Sequence, residues 1–264
     1  MFGICDLSIV PVRTEASDKS ELCTQLLFGD AYAVTGESEN GKWVKIKIVF
    51  DDYEGWIDKL QHMPISEDYF KAYILHPQTV CMDDVALIEN ELESRLITLG
   101  ATLPFLKGRI LNLGTKNFNY QGELYEPVSI TKEFVQFIAL RFLNTPYLWG
   151  GKSLFGIDCS GFTQLVLKIL GYKIKRDAYQ QVEHGQEVKN VNGTNTGDLA
   201  FFENDNGRII HVGMIMEENK IIHAHGKVRM DILDEKGILN LSTKKYSHKL
   251  TTIKRIISLD NNIN

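Results

Sequence analysis

Hydrophobic and polar positions change rhythm midway along the chain. Between residues 3 and 60 the apolar residues come in short β-type runs: Ile4 to Val12, Gln25 to Phe28, Asp30 to Thr35, Trp43 to Phe50 and Glu54 to Ile57. Turn-forming clusters such as Glu37-Ser-Glu-Asn-Gly-Lys42 separate them, and strands so spaced predict a small all-β barrel. Trp43 and Trp56 fall at strand positions where large side chains pack. Residues 61–128 carry more strands and turns, through Val80 to Glu89, Ile97 to Leu103, Leu106 to Arg109, Asn117 to Tyr120 and Glu123 to Tyr125. They predict a second, divergent barrel.

Beyond a connector at Pro127 to Thr131 the period lengthens. A helix from about Lys132 to Leu143 carries Phe134, Phe137, Ile138, Arg141 and Phe142, and stops before Asn144-Thr-Pro146. After Cys159 the apolar residues Phe162, Leu165, Val166, Ile169 and Leu170 fall at i, i+3, i+4, i+7 and i+8. That is a helix with one buried stripe, ended by Gly171. Arg208 to Met216 and Lys220 to His225 read as two strands joined by Glu217-Glu218-Asn219, an antiparallel hairpin.

With 264 residues, 44% hydrophobic and 24% charged, the chain has room for about two or three small domains. The expected divisions are 1–62 and 63–128, both β barrels, and 129–264, a mixed domain, giving an α+β fold. A net charge of −5 without a basic tract argues against nucleic acid as a partner. No stretch reaches the roughly 18 apolar residues of a membrane helix. The opening Met-Phe-Gly-Ile-Cys-Asp has no basic n-region, so a cytoplasmic location is expected if Met1 is the native start. Four cysteines without regular spacing form no disulfide framework, and Cys5, Cys23 and Cys81 read as structural thiols. No coiled-coil repeat points to an oligomeric state.

Cys159 has a different context. Asp158 is a natural N-cap, which puts the thiol in the first turn of a helix, where unpaired N–H groups favour an anion. Gly150, Gly151, Gly156 and Gly161 flank it, as suits a backbone that turns sharply or admits a ligand. His211 and His223 lie on the predicted hairpin. A thiol, a base and a group that orients the base are what nucleophilic catalysis requires. His225 is an alternative orienter, since residues two apart share a strand face. One cysteine with two or three histidines could also bind zinc, but His223-Ala-His225 is the single close ligand pair. No metal or cofactor is expected.

Pro146-Tyr147-Leu-Trp149-Gly-Gly, Asp158-Cys159-Ser160-Gly161-Phe162, Gly197-Asp198-Leu-Ala-Phe-Phe and His211-Val-Gly together resemble the NlpC/P60 cysteine peptidases, papain-like enzymes that cleave cell-wall peptides. The resemblance covers the chain from near Ile130 onward. It implies Cys159 as nucleophile, His211 as its base, His223 as orienter and Tyr147 beside the oxyanion. In the N-terminal half, Val12-Arg13, Ser20-Glu21, Leu27-Phe-Gly-Asp30, Trp43-Val-Lys and Tyr53-Glu-Gly-Trp56 are similar to a bacterial SH3 domain.

That combination resembles a subgroup of γ-D-glutamyl-L-diamino acid endopeptidases that recycle murein peptides. They release L-Ala-γ-D-Glu and demand a free N-terminal amine, with the SH3 domain closing one end of the cleft. The resemblance implies Glu21, Tyr53 and Asp177 as partners of the amine, and Asp158, Ser160 and Trp149 along the D-Glu side. Ala178 stands where the subgroup often has Ser. A wall hydrolase acting on intact peptidoglycan, an amidase or acyltransferase of the same superfamily, and a peptide-sensing module are the alternatives. The residue after D-Glu, L-Lys or meso-diaminopimelate, stays open.

Overall fold

A computed structural model describes residues 1–77, 79–125 and 129–259. The connector predicted at Pro127 begins outside the described residues. Two compact units divide the chain: Met1–Glu126 with Trp149–Leu154, and Pro127–Leu148 with Phe155–Asn264.

In the first unit, strands β1 (Phe2–Ile4), β2 (Ile9–Arg13), β3 (Leu22–Leu27), β4 (Ala31–Glu37), β5 (Trp43–Ile48), β6 (Glu54–Asp58) and β7 (Met63–Ile65) form one antiparallel sheet. Its order is β3-β2-β6-β5-β4-β1-β7. Alternate residues of β2 and β5 turn inward, so Val10, Val12, Val44, Ile46 and Ile48 meet Leu26, Tyr32 and Ile57 in a closed core. The run expected from Ile4 to Val12 breaks after Ile4. There Cys5 donates its N–H to Asp30 O and accepts from Gly29 N–H, both at 2.9 Å. Trp43 is buried, as a core position predicts.

A helix that the apolar pattern did not predict follows, α1 (Glu67–Leu75), capped by Ser66 Oγ on the Tyr69 N–H at 3.1 Å. Its buried face is thin, with Phe70 and Tyr73. Strands β8 (Thr79–Val80), β9 (Val85–Glu89), β10 (Ser94–Thr98), β11 (Thr102–Leu103), β12 (Ile110–Leu113) and β13 (Lys116–Tyr120) complete this part. They make a four-stranded sheet, β10-β9-β13-β12, and a separate β11–β8 pair. Both belong to the same compact unit as the first sheet. Thr102 N–H donates to Phe28 O at 2.9 Å, Tyr73 hydroxyl to Gly29 O at 2.9 Å, and Arg95 pairs with Asp6 at 3.1 Å. A short β14 (Lys152–Ser153) also belongs here, the Lys152 N–H donating to Gln25 Oε1 at 2.7 Å.

The second unit contains α2 (Lys132–Leu140), β15 (Gly156–Ile157), α3 (Cys159–Ile169) and α4 (Ala178–Gln181). Its strands are β16 (Gln186–Val188), β17 (Leu199–Glu203), β18 (Ile209–Ile215), β19 (Lys220–His225), β20 (Lys227–Asp234), β21 (Gly237–Leu239) and β22 (Tyr246–Arg255). They form one antiparallel sheet ordered β16-β22-β17-β18-β19-β20-β21, and β22 also pairs with β21. The predicted hairpin is β18–β19, with Met214 opposite Ile222. Helix α2 ends at Leu140, three residues before the expected Leu143, in a run of turns.

Helix α3 departs from expectation in one respect: all 11 of its residues are buried, where the sequence pattern indicated a single stripe. Strands β18 and β19 pack on α3, and so do α2 and α4. Several of its polar side chains find partners inside. Thr163 Oγ1 donates to Gln181 Oε1 at 2.7 Å and Gln164 Nε2 to Ile174 O at 3.1 Å. Among the described residues, no helix is long and apolar enough to cross a membrane.

Candidate active site

Asp158 caps α3, its Oδ1 accepting the Gly161 N–H at 2.6 Å. The same carboxylate is held bidentately by Arg176, Nη1 on Oδ1 at 2.9 Å and Nη2 on Oδ2 at 2.7 Å. Arg176 is 1% exposed, and its Nη1 also donates to Ser160 Oγ at 2.9 Å. Helix cap, buried cation and Ser160 thus form one locked cluster behind the Cys159 backbone.

Cys159 is the first residue of α3 and is buried, its thiol hydrogen-bonding the backbone of Val212, the residue after His211. Burial pushes the thiol up to about 12, Asp158 adding to the shift, while the Val212 contact and Arg176 work against it. The anion-favouring helix end expected from sequence is therefore outweighed by desolvation. Tyr147 is half-buried, and its phenol is raised first by burial and then by Cys159, so it keeps its proton.

His211 enters from β18 and His223 from β19. His211 Nε2 lies 2.8 Å from His223 Nδ1, and His223 Nε2 lies 3.1 Å from Asp231 Oδ2. His223 and Asp231 are both wholly buried. Burial lowers the pKa of His211 well below its usual value, with neighbouring imidazoles adding to the effect. It lowers His223 as well, against the pull of Asp231. Burial alone would raise the Asp231 carboxyl, yet hydrogen bonds from His223, the Leu241 N–H and Arg229 hold it at about 2. Burial thus penalises charge on Cys159 and on His211 taken singly.

The chain that carries this buried thiol and histidine pair is similar to known proteins. Residues 144–255 match the NlpC/P60 family. The chain is 31% identical over 249 residues to a γ-D-glutamyl-L-lysine dipeptidyl-peptidase of Bacillus subtilis, covering 89% of this chain and 81% of that one. It is 41% identical over 233 residues to a Bacillus cereus protein of the same name, covering 79% and 68%. The chain belongs to the NlpC/P60 cysteine peptidase family.

Within this NlpC/P60 protein, residues 12–61 match the bacterial dipeptidyl-peptidase SH3 domain. A solved NlpC/P60 family protein from Bacillus cereus aligns with a TM-score of 0.81 at 22% identity, over 98% of this chain and 100% of that one. An NlpC/P60 endopeptidase from Photobacterium damselae subsp. piscicida aligns at 0.73 and 16%, over 95% and 70%. The fold is the α+β one expected: a papain-like NlpC/P60 domain preceded by a small all-β SH3-like domain.

The remaining sequence candidates fall as follows. Asp177 precedes α4, with its N–H donating to Gln180 Oε1 at 3.2 Å, and its carboxylate meets the Tyr179 hydroxyl. Glu21, Tyr53 and Trp149 belong to the first unit. Exposed Glu21 accepts the Trp149 indole N–H, and Tyr53 packs half-buried on the barrel core. His225 is exposed, while its strand-mate His223 makes the hydrogen bond to His211.

Two site residues escaped the sequence reading of this NlpC/P60 chain. Asp231 comes from β20, and His248, from β22, stacks on His211 with ring centroids 4.1 Å apart. The signal for Asp231 was a lone carboxylate in strand phase with apolar Leu233. For His248 there was none. Donor atoms of His211, His223 and His248 lie within 4.8 Å of one another. The His211–His223 hydrogen bond at 2.8 Å already engages one nitrogen of each of those two rings.

Proposed function

We propose that this protein is a cysteine endopeptidase that hydrolyses the bond between γ-D-Glu and a diamino acid in murein-derived peptides. Its substrates carry a free N-terminal L-Ala and its product is L-Ala-γ-D-Glu, a step of cell-wall peptide recycling. The observation that carries the reading is Cys159 at the start of α3 beside the strand of a hydrogen-bonded His211–His223 pair. The names of the two Bacillus relatives supply the substrate class.

In this reading His211 takes the Cys159 proton as the sulfur attacks the γ-carbonyl carbon of D-Glu. The S–C bond forms and the carbonyl electrons move onto oxygen, where the Cys159 N–H and the Tyr147 hydroxyl donate. Collapse breaks the C–N bond, and His211 gives its proton to the leaving α-amine. Water then cleaves the thioester, His211 acting again as base and returning the proton to sulfur. His223 orients His211. Asp177 is an anionic partner suited to the substrate ammonium.

Product analysis by mass spectrometry on L-Ala-γ-D-Glu-L-Lys, its meso-diaminopimelate counterpart and their N-acetylated twins tests the proposal. Release of L-Ala-γ-D-Glu from the free-amine peptides alone is the expected result. Equal cleavage of the acetylated twins would keep the peptidase and discard the amine requirement, in favour of a hydrolase of intact wall. Cleavage of none would overturn the reading.

A further inference from the structure

We propose that Asp231 is a positioning residue that fixes which nitrogens of the His211–His223 pair carry hydrogen, and so makes Nδ1 the basic nitrogen of His211. The inference deepens the proposed peptidase reading, since it names the residue that sets up the base.

Asp231 is wholly buried. Its Oδ1 accepts the Leu241 N–H at 2.8 Å and Arg229 Nη2 at 3.0 Å, and its Oδ2 lies 2.7 Å from Arg229 Nε. A backbone N–H and a guanidinium can only donate, so this carboxylate is an unprotonated acceptor. His223 Nε2, 3.1 Å from Oδ2, must therefore bring a hydrogen to it. A neutral imidazole has one N–H, which leaves His223 Nδ1 as an acceptor. His211 Nε2, at 2.8 Å, must then be the donor, and the lone pair of His211 stays at Nδ1.

The surroundings keep His223 neutral. Around it stand His211 from β18, His225 from its own strand, Arg229 and Asp231 from β20 and His248 from β22. Against one carboxylate they set a guanidinium, three imidazoles and full burial.

Asp231→Asn should reverse the chain of donors. The Leu241 N–H and Arg229 Nη2 both hydrogen-bond Oδ1, while Arg229 Nε, 2.7 Å from Oδ2, makes no hydrogen bond to it, so the amide oxygen keeps the Oδ1 position and the NH₂ falls at the Oδ2 position, facing His223. It donates to His223 Nε2, moving that hydrogen to Nδ1 and the His211 hydrogen to Nδ1 in turn. The base is then blocked, and kcat should fall by up to about 10⁴-fold with KM within about twofold, the loss that a wrong tautomer causes in the Ser-His-Asp triad.

The test is long-range ¹H–¹⁵N correlation on the full chain labelled with ¹⁵N-histidine at pH 7.5, together with steady-state kinetics. Nε2–H tautomers at both His211 and His223, switching to Nδ1–H in a folded Asp231→Asn, are expected. An Nδ1–H tautomer at either residue of the wild-type protein overturns the proposal, and this needs no variant to fold. So does a folded Asp231→Asn with wild-type kcat. The spectra require no substrate. Expected tautomers in a protein that cleaves no murein peptide would therefore reject the peptidase reading and leave the assignment of hydrogens standing.

Discussion

Gly213 on β18 faces His223 on β19 so closely that a β-carbon at position 213 would come within 2.9 Å of the His223 β-carbon. It would also meet Ile221 Cδ1 at 2.7 Å. The His-Val-Gly motif therefore holds two requirements of one site: the imidazole, and the space that lets its partner reach it. Gly213→Ala should cost about 1–3 kcal/mol of stability by overpacking. It should also lower kcat more than 10-fold by displacing His223. Urea denaturation beside steady-state kinetics checks both; full activity with a shifted midpoint would detach Gly213 from the catalytic pair.

Removal of the nucleophile separates chemistry from fold. Cys159→Ala deletes one buried sulfur at the start of a helix whose cap, Asp158, is untouched. The variant should stay folded and still bind peptide, with turnover below one thousandth of wild type. Residual activity of even a tenth, measured by dipeptide release, would move the nucleophile elsewhere.

Arg176 offers a stability test. Truncation to Ala leaves the Asp158 carboxylate buried with its bidentate partner gone, a loss of about 3–5 kcal/mol for an uncompensated buried charge. Arg176→Lys should recover only part of that, because an ammonium cannot span both carboxylate oxygens and Ser160 as the guanidinium does. Equal stability of the Lys variant and wild type would show that the fork geometry is immaterial.

Stability should form a dome in pH. His211, His223 and His248 are harder to protonate folded than unfolded, His248 being lowered to about 4, chiefly by burial. The unfolded chain therefore takes up protons first, and stability falls as pH drops from about 6.5 toward 4. Asp231, depressed to about 2, contributes stability that is full above about pH 4 and lost on further acidification. On the alkaline side the unfolded Cys159 thiol ionises near 9 and the folded one only at about 12, so stability falls as pH rises through that window. The maximum should lie between about pH 7 and 9. Urea midpoints across pH 4 to 10 trace the curve, and His248→Gln should flatten its acid limb. A midpoint that does not move between pH 7 and 4 would show that these imidazoles are not buried neutral.

What could be read in advance divides along sequence distance. Cys159, its cap and its helix are contiguous, so period and capping chemistry sufficed to find them. The His211–His223 pair needed one hairpin, which a three-residue turn signalled. His248 joins the site through β22, a pairing that no local pattern encodes, whereas Asp231, on the strand that follows β19 directly across Gly226, showed only a carboxylate in strand phase. Helix α1 was missed because its apolar residues form no sustained stripe. The all-round burial of α3 was hidden because Thr163, Gln164 and Lys168 looked like a solvent face. Their cover is supplied by other elements, among them Gln181 and the Ile174 carbonyl, which are distant in sequence.

That enclosure leaves α3 without a solvent-facing position on which sequence can drift or be engineered. Each of its ten side chains fits a volume set by neighbours, and several also answer a polar partner. Libraries randomised along this helix would return mostly unfolded proteins, not altered preferences. New substrate selectivity is better sought in the turns before β15 and around α4, where Tyr147, Leu148, Asp177 and Tyr179 keep some exposure. The helix that carries Cys159 is closely constrained along its whole length.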